Sequence, residues 1–139
     1  HVITSEELPF IIADVMESKE HQYLELKKCD ISTGLDRGSS VSLVVIINGE
    51  EFDGSGIGNG GFDAFMDAIT KILVKISFTM PVLKDYEVHI PRGGKTDALT
   101  ECIITWESEI QEFKTRGVDS NQVMAAVKAT TRMINMRMH

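Results

Sequence analysis

The run VSLVVIINGEEFDGSGIGNGG, residues 41–61, decides the fold. Its first seven residues are rich in Val and Ile, the β-branched types that pack well on a pleated surface. Asn48-Gly49 follows at once. Both residues tolerate the positive φ that a type I′ turn requires at its two central positions, so residues 50–55 are predicted to fold back antiparallel onto residues 41–47. The glycine-rich residues 54–61 read as the end of that hairpin and the opening of a helix. In this helix Phe62, Phe65, Met66, Ile69, Ile72, Leu73 and Ile76 form one apolar stripe. Met80-Pro81 stops it.

Working outward, residues 23–30 predict a further strand, and the Gly, Asp and Ser of residues 32–40 a turn. Downstream, residues 82–90 predict a fourth strand, 91–97 a turn, 99–107 a fifth strand and 110–116 a sixth. Val123, Val127, Thr130 and Ile134 mark a last helix, with Asp119 or Ser120 available as its N-cap. At the start, Leu8, Ile11, Ile12, Val15 and Met16 have helical spacing, and Thr4 and Glu7 stand in capping-box relation. Residues 4–18 are therefore expected to form a short linker helix, followed by a polar connector to residue 22.

The order of elements repeats, and so do residues. A shift of 61 positions lays residues 41–76 on residues 102–137 without a gap, with identities at Glu51/Glu112, Phe52/Phe113, Gly56/Gly117, Ala64/Ala125, Ala68/Ala129 and Thr70/Thr131. Conservative pairs such as Ile57/Val118, Lys71/Arg132 and Leu73/Ile134 fill the same roles. The expected fold class is α+β: two pseudo-symmetric βββα units, residues 23–80 and 81–138, with antiparallel sheets and a helix packed on one face of each, preceded by the linker helix. A three-stranded sheet gains stability by joining another, so the units are expected to pack together and against a second chain.

At 139 residues and 42% hydrophobic, the chain is sized for a single core. A net charge of −7 argues against nucleic acid and against anionic membrane surfaces, which need clustered Lys and Arg. No apolar run approaches the ~20 residues of a membrane span, and no signal peptide is evident, so the expected location is the cytoplasm. Cys29 and Cys102 stand apart with no metal-ligand spacing and read as reduced, buried thiols. The chain lacks an initial Met and is read as part of a longer polypeptide, with His139 as a tag remnant.

For chemistry, the informative stretch is Gly56 to Gly61. At a strand-to-helix junction, free backbone N–H groups and the positive end of the helix dipole suit a carboxylate or phosphate; the alternative is a plain turn. A dinucleotide fold is disfavoured, because the strand comes from an Asn-Gly hairpin and not from a βαβ unit. Gly93-Gly94-Lys95-Thr96 resembles the tail of a phosphate-binding loop but has His89 where the leading glycine belongs. His21 and His89 lack partners at metal-ligand spacing, and no nucleophile elbow is present. Asp63 and Asp67 lie one turn apart on a polar helix face and read as solvated, although Asp63 is close enough to the helix start to meet a ligand's ammonium group. Tyr86, Val88 and Ile90 alternate on one side of the fourth strand, after Leu83. No catalytic residue is expected in this chain.

The residues 58–65, Asp85-Tyr86, Thr96-Asp97-Ala98 and Arg116-Gly117-Val118 together resemble a known family: the C-terminal regulatory domain of 2-isopropylmalate synthase and citramalate synthase, with the closer likeness to the latter. The resemblance covers residues 20–138, and residues 7–15 look like the segment that joins this domain to the rest of a citramalate synthase. It implies an allosteric feedback-inhibition domain that binds isoleucine at a homodimer interface. The complete enzyme would be an acyltransferase condensing acetyl-CoA with pyruvate for isoleucine biosynthesis. Its catalytic (β/α)8 barrel, divalent metal and acetyl-CoA site would belong to the rest of the parent chain, with no cofactor in this fragment. Carried over residue by residue, Gly58, Asn59, Gly60, Phe62 and Asp63 would hold the ligand's charged end. Leu83, Tyr86 and Ile90 would wall its side chain, and Val118 and Ser120 would contribute from the second copy. Where the family has Pro-Val this chain has Gly61-Phe62, and the second copy has Asp119-Ser120-Asn121 in place of glycines. A leucine-sensing domain of 2-isopropylmalate synthase and a purely structural dimerisation module are the alternatives.

Overall fold

The computed structural model describes residues 23–34, 38–90 and 99–138. The expected linker helix, His21 and the Gly93-to-Thr96 turn lie outside the described residues. Residues 23–80 form one compact unit and residues 81–138 belong to a second. Each is an antiparallel three-stranded sheet followed by a helix, the α+β architecture expected.

The first unit has β1 (Leu24–Gly34), β2 (Gly38–Ile47), β3 (Glu50–Gly58) and α1 (Gly61–Val74), with sheet order β1-β2-β3. The turn between β2 and β3 is the expected one, with φ of 51° at Asn48 and 84° at Gly49. Alternation puts Val41, Leu43, Val45 and Ile47 on the inner face of β2, where all are buried against Ala64, Phe65, Ala68, Ile69, Ile72 and Leu73 of α1. α1 ends before Met80. Ser77, at φ 60°, reverses the chain, and Phe78 N–H bonds the Leu73 carbonyl while Ser77 N–H bonds that of Val74, each at 3.1 Å.

Two strands outrun the sequence reading. The stretch expected as a turn over residues 32–40 is strand up to Gly34 and again from Gly38, with Ser32 opposite Ser40 and Thr33 opposite Ser39. A side-chain bond between the Thr33 and Ser39 hydroxyls, 3.0 Å, holds that end of the ladder.

The second unit has β4 (Val82–His89), β5 (Thr100–Glu107), β6 (Glu112–Asp119) and α2 (Gln122–Met138), with sheet order β4-β5-β6. Its core is Cys102, Ile104 and Trp106 of β5 with Phe113 of β6, against Ala125, Ala126, Ala129, Met133 and Ile134 of α2. The fully buried Trp106 needs a partner for its indole N–H. It donates to the Thr115 hydroxyl at 2.9 Å, and that hydroxyl donates onward to the Ala129 carbonyl at 2.7 Å. The sixth strand was expected over 110–116 and runs two or three residues later, because a Ser108-centred turn occupies residues 108–111. Ser108 N–H bonds the Gln111 carbonyl at 2.9 Å, and its hydroxyl accepts from Gln111 N–H at 3.2 Å.

β1 and β4 are edge strands, and each carries one extra residue relative to its partner: the register slips between Leu26 and Lys28 in β1 and between Leu83 and Asp85 in β4. The extra residue is a lysine both times. Lys27 reaches Glu51 at 3.1 Å, and Lys84 reaches Glu112 at 3.5 Å.

Candidate ligand-binding site

The hairpin does not end where the glycines begin, which corrects the sequence reading. β3 continues through Gly58, with Gly56 opposite Val41 and Gly58 opposite Ser39. The reason is packing. Gly54, Gly56 and Gly58 share the inner face of β3, and α1 lies so close that a Cβ on Gly56 would strike the Ala64 carbonyl and the Ala68 amide, and one on Gly58 would lie 2.7 Å from the Ala64 amide. The same contact recurs in the second unit, where Gly117 faces Ala125 and Ala129. Three of the six identities in the internal repeat are therefore one three-residue contact, made twice.

Gly60 is different. A Cβ there would meet nothing within 4 Å, and its φ of −133° and ψ of 173° are ordinary extended backbone. It is the N-cap of α1. Its carbonyl accepts Ala64 N–H at 3.0 Å, but no side chain caps the helix. The first amides of a helix lack intrahelical acceptors and carry the positive end of its dipole. Around this mouth stand Gly58, exposed Asn59, half-buried Phe62, stacked on Phe65 with ring centroids 6.2 Å apart, and exposed Asp63 in the first turn. These five expected site residues come together.

The mouth of α2 is closed by its own side chains. The sequence reading placed the N-cap on Asp119 or Ser120; the cap is Asn121, whose Oδ1 accepts Met124 N–H at 3.1 Å. Asp119 instead accepts Asn121 N–H at 2.8 Å and pairs with Lys128 at 2.9 Å. The Asn121 amide bond first, and Lys128 second, hold the Asp119 carboxyl below the usual carboxylate range. Asn121 is the repeat equivalent of Gly60, and Asp119 that of Gly58. Val118 is half-buried with its carbonyl accepting from Lys128 at 3.3 Å, and Ser120 is exposed on the capped turn.

The other three expected site residues lie along β4. Leu83, opposite Trp106, is 37% exposed; half-buried Tyr86 is opposite Ile104; Ile90 lies past the end of the strand, 72% exposed. Cys102 is a buried free thiol whose pKa burial pushes up to about 11, partly opposed by a hydrogen bond with Tyr86. It is not a nucleophile in that state.

Sequence reasoning missed one set of polar contacts. Asp67, read as solvated, accepts Ile57 N–H at 3.0 Å from the outer edge of β3, and Lys71 donates to the Ser55 carbonyl at 3.4 Å and pairs with Asp67 at 3.1 Å. In the second unit Lys128 and Arg132 make the matching bonds to the carbonyls of Val118 and Arg116. Each helix thus laces itself to the free edge of the last strand in its sheet. The 61-residue offset that pairs Lys71 with Arg132 also pairs Asp67 with Lys128, and that was the available signal.

Among the described residues no group of three or more His, Cys, Asp or Glu could hold a metal ion, and no helix is long and apolar enough to cross a membrane. The arrangement suits non-covalent capture of a small anion.

Residues 2–138 match the family model of the LeuA allosteric (dimerisation) domain. The chain belongs to that family. Among similar proteins, a 2-isopropylmalate synthase of Methanocaldococcus jannaschii is 32% identical over 136 residues, 96% of this chain and 25% of the relative. A Methanoculleus marisnigri protein assigned as an (R)-citramalate synthase is 27% identical over 133 residues, 96% of this chain and 26% of the relative. A 2-isopropylmalate synthase of Aquifex aeolicus is 29% identical over 125 residues, covering 90% and 23%. The LeuA domain described here thus spans about a quarter of the length of the curated relatives it matches.

Proposed function

We propose that this LeuA domain is the feedback sensor of a citramalate synthase and that isoleucine, bound as a zwitterion, is its effector. The observation that carries the reading is the contrast between the two helix mouths. Asn121 and Asp119 fill the start of α2, whereas the equivalent Gly60 and Gly58 leave the start of α1 without a cap. An effector carboxylate there would accept the first-turn amides of α1, as Asn121 Oδ1 accepts Met124 N–H in α2. Asp63, one turn in, would face the ammonium group. Asn59 and Phe62 complete this end. The parent enzyme's acetyl-CoA and divalent metal would be bound by its barrel and not by these residues.

Inhibition then follows by linkage: an effector that binds one dimer arrangement more tightly shifts the attached catalytic domains by the same coupling free energy, about 1–3 kcal/mol. Isothermal titration of the purified chain with isoleucine, leucine and valine tests the reading. Isoleucine is expected to bind more tightly than the other two; heat from none of them sinks the sensing function. Tighter binding of leucine assigns the parent to 2-isopropylmalate synthase, a swap that one methyl position, worth about 1–3 kcal/mol, is enough to make.

A further inference from the structure

Asn48 and Asn59 are each followed by glycine, whereas Asn121 and Asn135 are followed by Gln122 and Met136. The pairing matters chemically. An asparagine side-chain carbonyl lies within reach of the next residue's backbone nitrogen, and a glycine there has no Cβ to obstruct the approach. The two Asn-Gly pairs are held differently. Asn48-Gly49 is the turn between β2 and β3. Both residues are in the left-handed region, Asn48 N–H bonds the Tyr23 carbonyl at 3.0 Å, and Ile47 pairs with Glu50 directly behind them. Swinging the Gly49 nitrogen against Asn48 Cγ would break that closure. Asn59-Gly60 lies between the last ladder pair of β3, Gly58 with Ser39, and the first residue of α1. Asn59 is exposed and outside the left-handed region, and among the described residues nothing bonds its carboxamide. At Gly60 the carbonyl is held by Ala64 N–H, but open space surrounds the place of a Cβ.

We propose that Asn59 is a self-modification site, at which the Gly60 nitrogen attacks Asn59 Cγ to close a succinimide and water then opens the ring to leave a carboxylate at residue 59. The bond formed joins Gly60 N to Asn59 Cγ, and the bond broken is Asn59 Cγ–Nδ2. The proton lost from Gly60 N leaves on Nδ2 as ammonia. Water adds its hydroxyl to either ring carbonyl and returns a proton to the nitrogen, giving aspartate or its backbone-lengthened isomer. No oxidant, reductant or second protein is required. By either route a neutral side chain becomes an anion beside the uncapped first amides of α1, where the helix dipole attracts negative charge. The functional consequence rests on the reading above: a carboxylate built into the chain competes with that of the effector, so the converted domain loses its response.

Peptide mapping by mass spectrometry tests the site, on the whole chain kept folded in mildly alkaline buffer at physiological temperature. Residue 59 is expected to gain the mass of the amide-to-acid change at least about tenfold faster than residue 48, a difference that misalignment of the attacking atom is enough to supply. In urea, where neither arrangement survives, the two sites should convert at similar rates. Gly60→Val, which crowds the nitrogen with a branched side chain, should slow conversion at residue 59 of the folded chain about tenfold or more. Anion exchange then separates the converted chain by its added charge, and isoleucine should bind it at least about tenfold more weakly than the unconverted chain. Equal rates at the two sites in the folded chain, or faster conversion at Asn48, overturn the modification site. Conversion with undiminished isoleucine affinity overturns the competition. If the unconverted chain binds no branched-chain amino acid, the proposed function fails, and the competition with it, while the mapping alone decides the modification site.

Discussion

Gly60 is a glycine that neither its backbone nor its surroundings demand. Its φ lies in the region any residue adopts, and open space surrounds the place of its missing Cβ. At the equivalent position Asn121 caps α2. Gly60→Asn should therefore cap α1 and remove chain entropy from the unfolded state, raising stability by about 0.5–1 kcal/mol. On the proposed function the same change puts a side-chain oxygen where the effector carboxylate belongs. Thermal unfolding and titration of one preparation check both halves: a higher Tm with isoleucine affinity reduced at least about tenfold. Unchanged affinity would place the effector elsewhere. Gly56 is the opposite kind of residue, because its missing side chain is where the helix lies.

At the scale of elements, the strand-on-helix contact is the feature most exposed to substitution. Gly56→Ala or Gly117→Ala drives a methyl group into helix backbone that no rotamer change can clear, and each should cost about 2–3 kcal/mol, read as a lower denaturation midpoint in urea. Equal stability of either variant would mean that the helices stand further off than described. This contact explains what was readable beforehand and what was not. Asn48-Gly49 was readable because the turn's demand for positive φ is local, and the helix stripes because burial imposes their period. Gly54, Gly56 and Gly58 were misread as the end of a hairpin because glycine in a strand looks like a breaker until the helix that needs the space is in view. Likewise Asp67 looked solvated, since the Ile57 amide it accepts belongs to a strand thought to have ended. In the proposed site, Gly58 to Asp63 could be grouped from sequence because they are consecutive. Whether a mouth is open or filled depended on side-chain bonds at Asn121 and Asp119 that spacing did not reveal: it offered Asp119 or Ser120 as the cap, and the cap is Asn121.

Across the whole molecule, both helices depend on a carboxylate held ionised. Asp67 is held below the ordinary aspartate value of 3.8, first by the Ile57 amide and then by Lys71, and Asp119 first by the Asn121 amide and then by Lys128. A carboxylate whose pKa is depressed in the folded state binds fewer protons there than in the unfolded chain. Its contribution is therefore complete above the unfolded value and is lost as pH falls through about 3.8 and on through the lower folded value. Thermal unfolding between pH 6 and pH 2.5, roughly the window that spans carboxylate titration, should show a Tm that declines on acidification. The decline should be shallower for Asp67→Asn and for Asp119→Asn, with each variant already less stable at neutral pH. Parallel curves for variants and wild type would show that neither carboxylate carries the acid sensitivity.

The lysine-bearing bulges of β1 and β4 have a consequence for the chain at high concentration. With the outer margins of β3 and β6 tied down by their own helices, the hydrogen-bonding room that the described sheets leave to a stray extended segment is at β1 and β4, and there an irregular backbone and a cation interrupt the template. The sheets of this LeuA-family domain are in this way protected from open-ended fibrous growth.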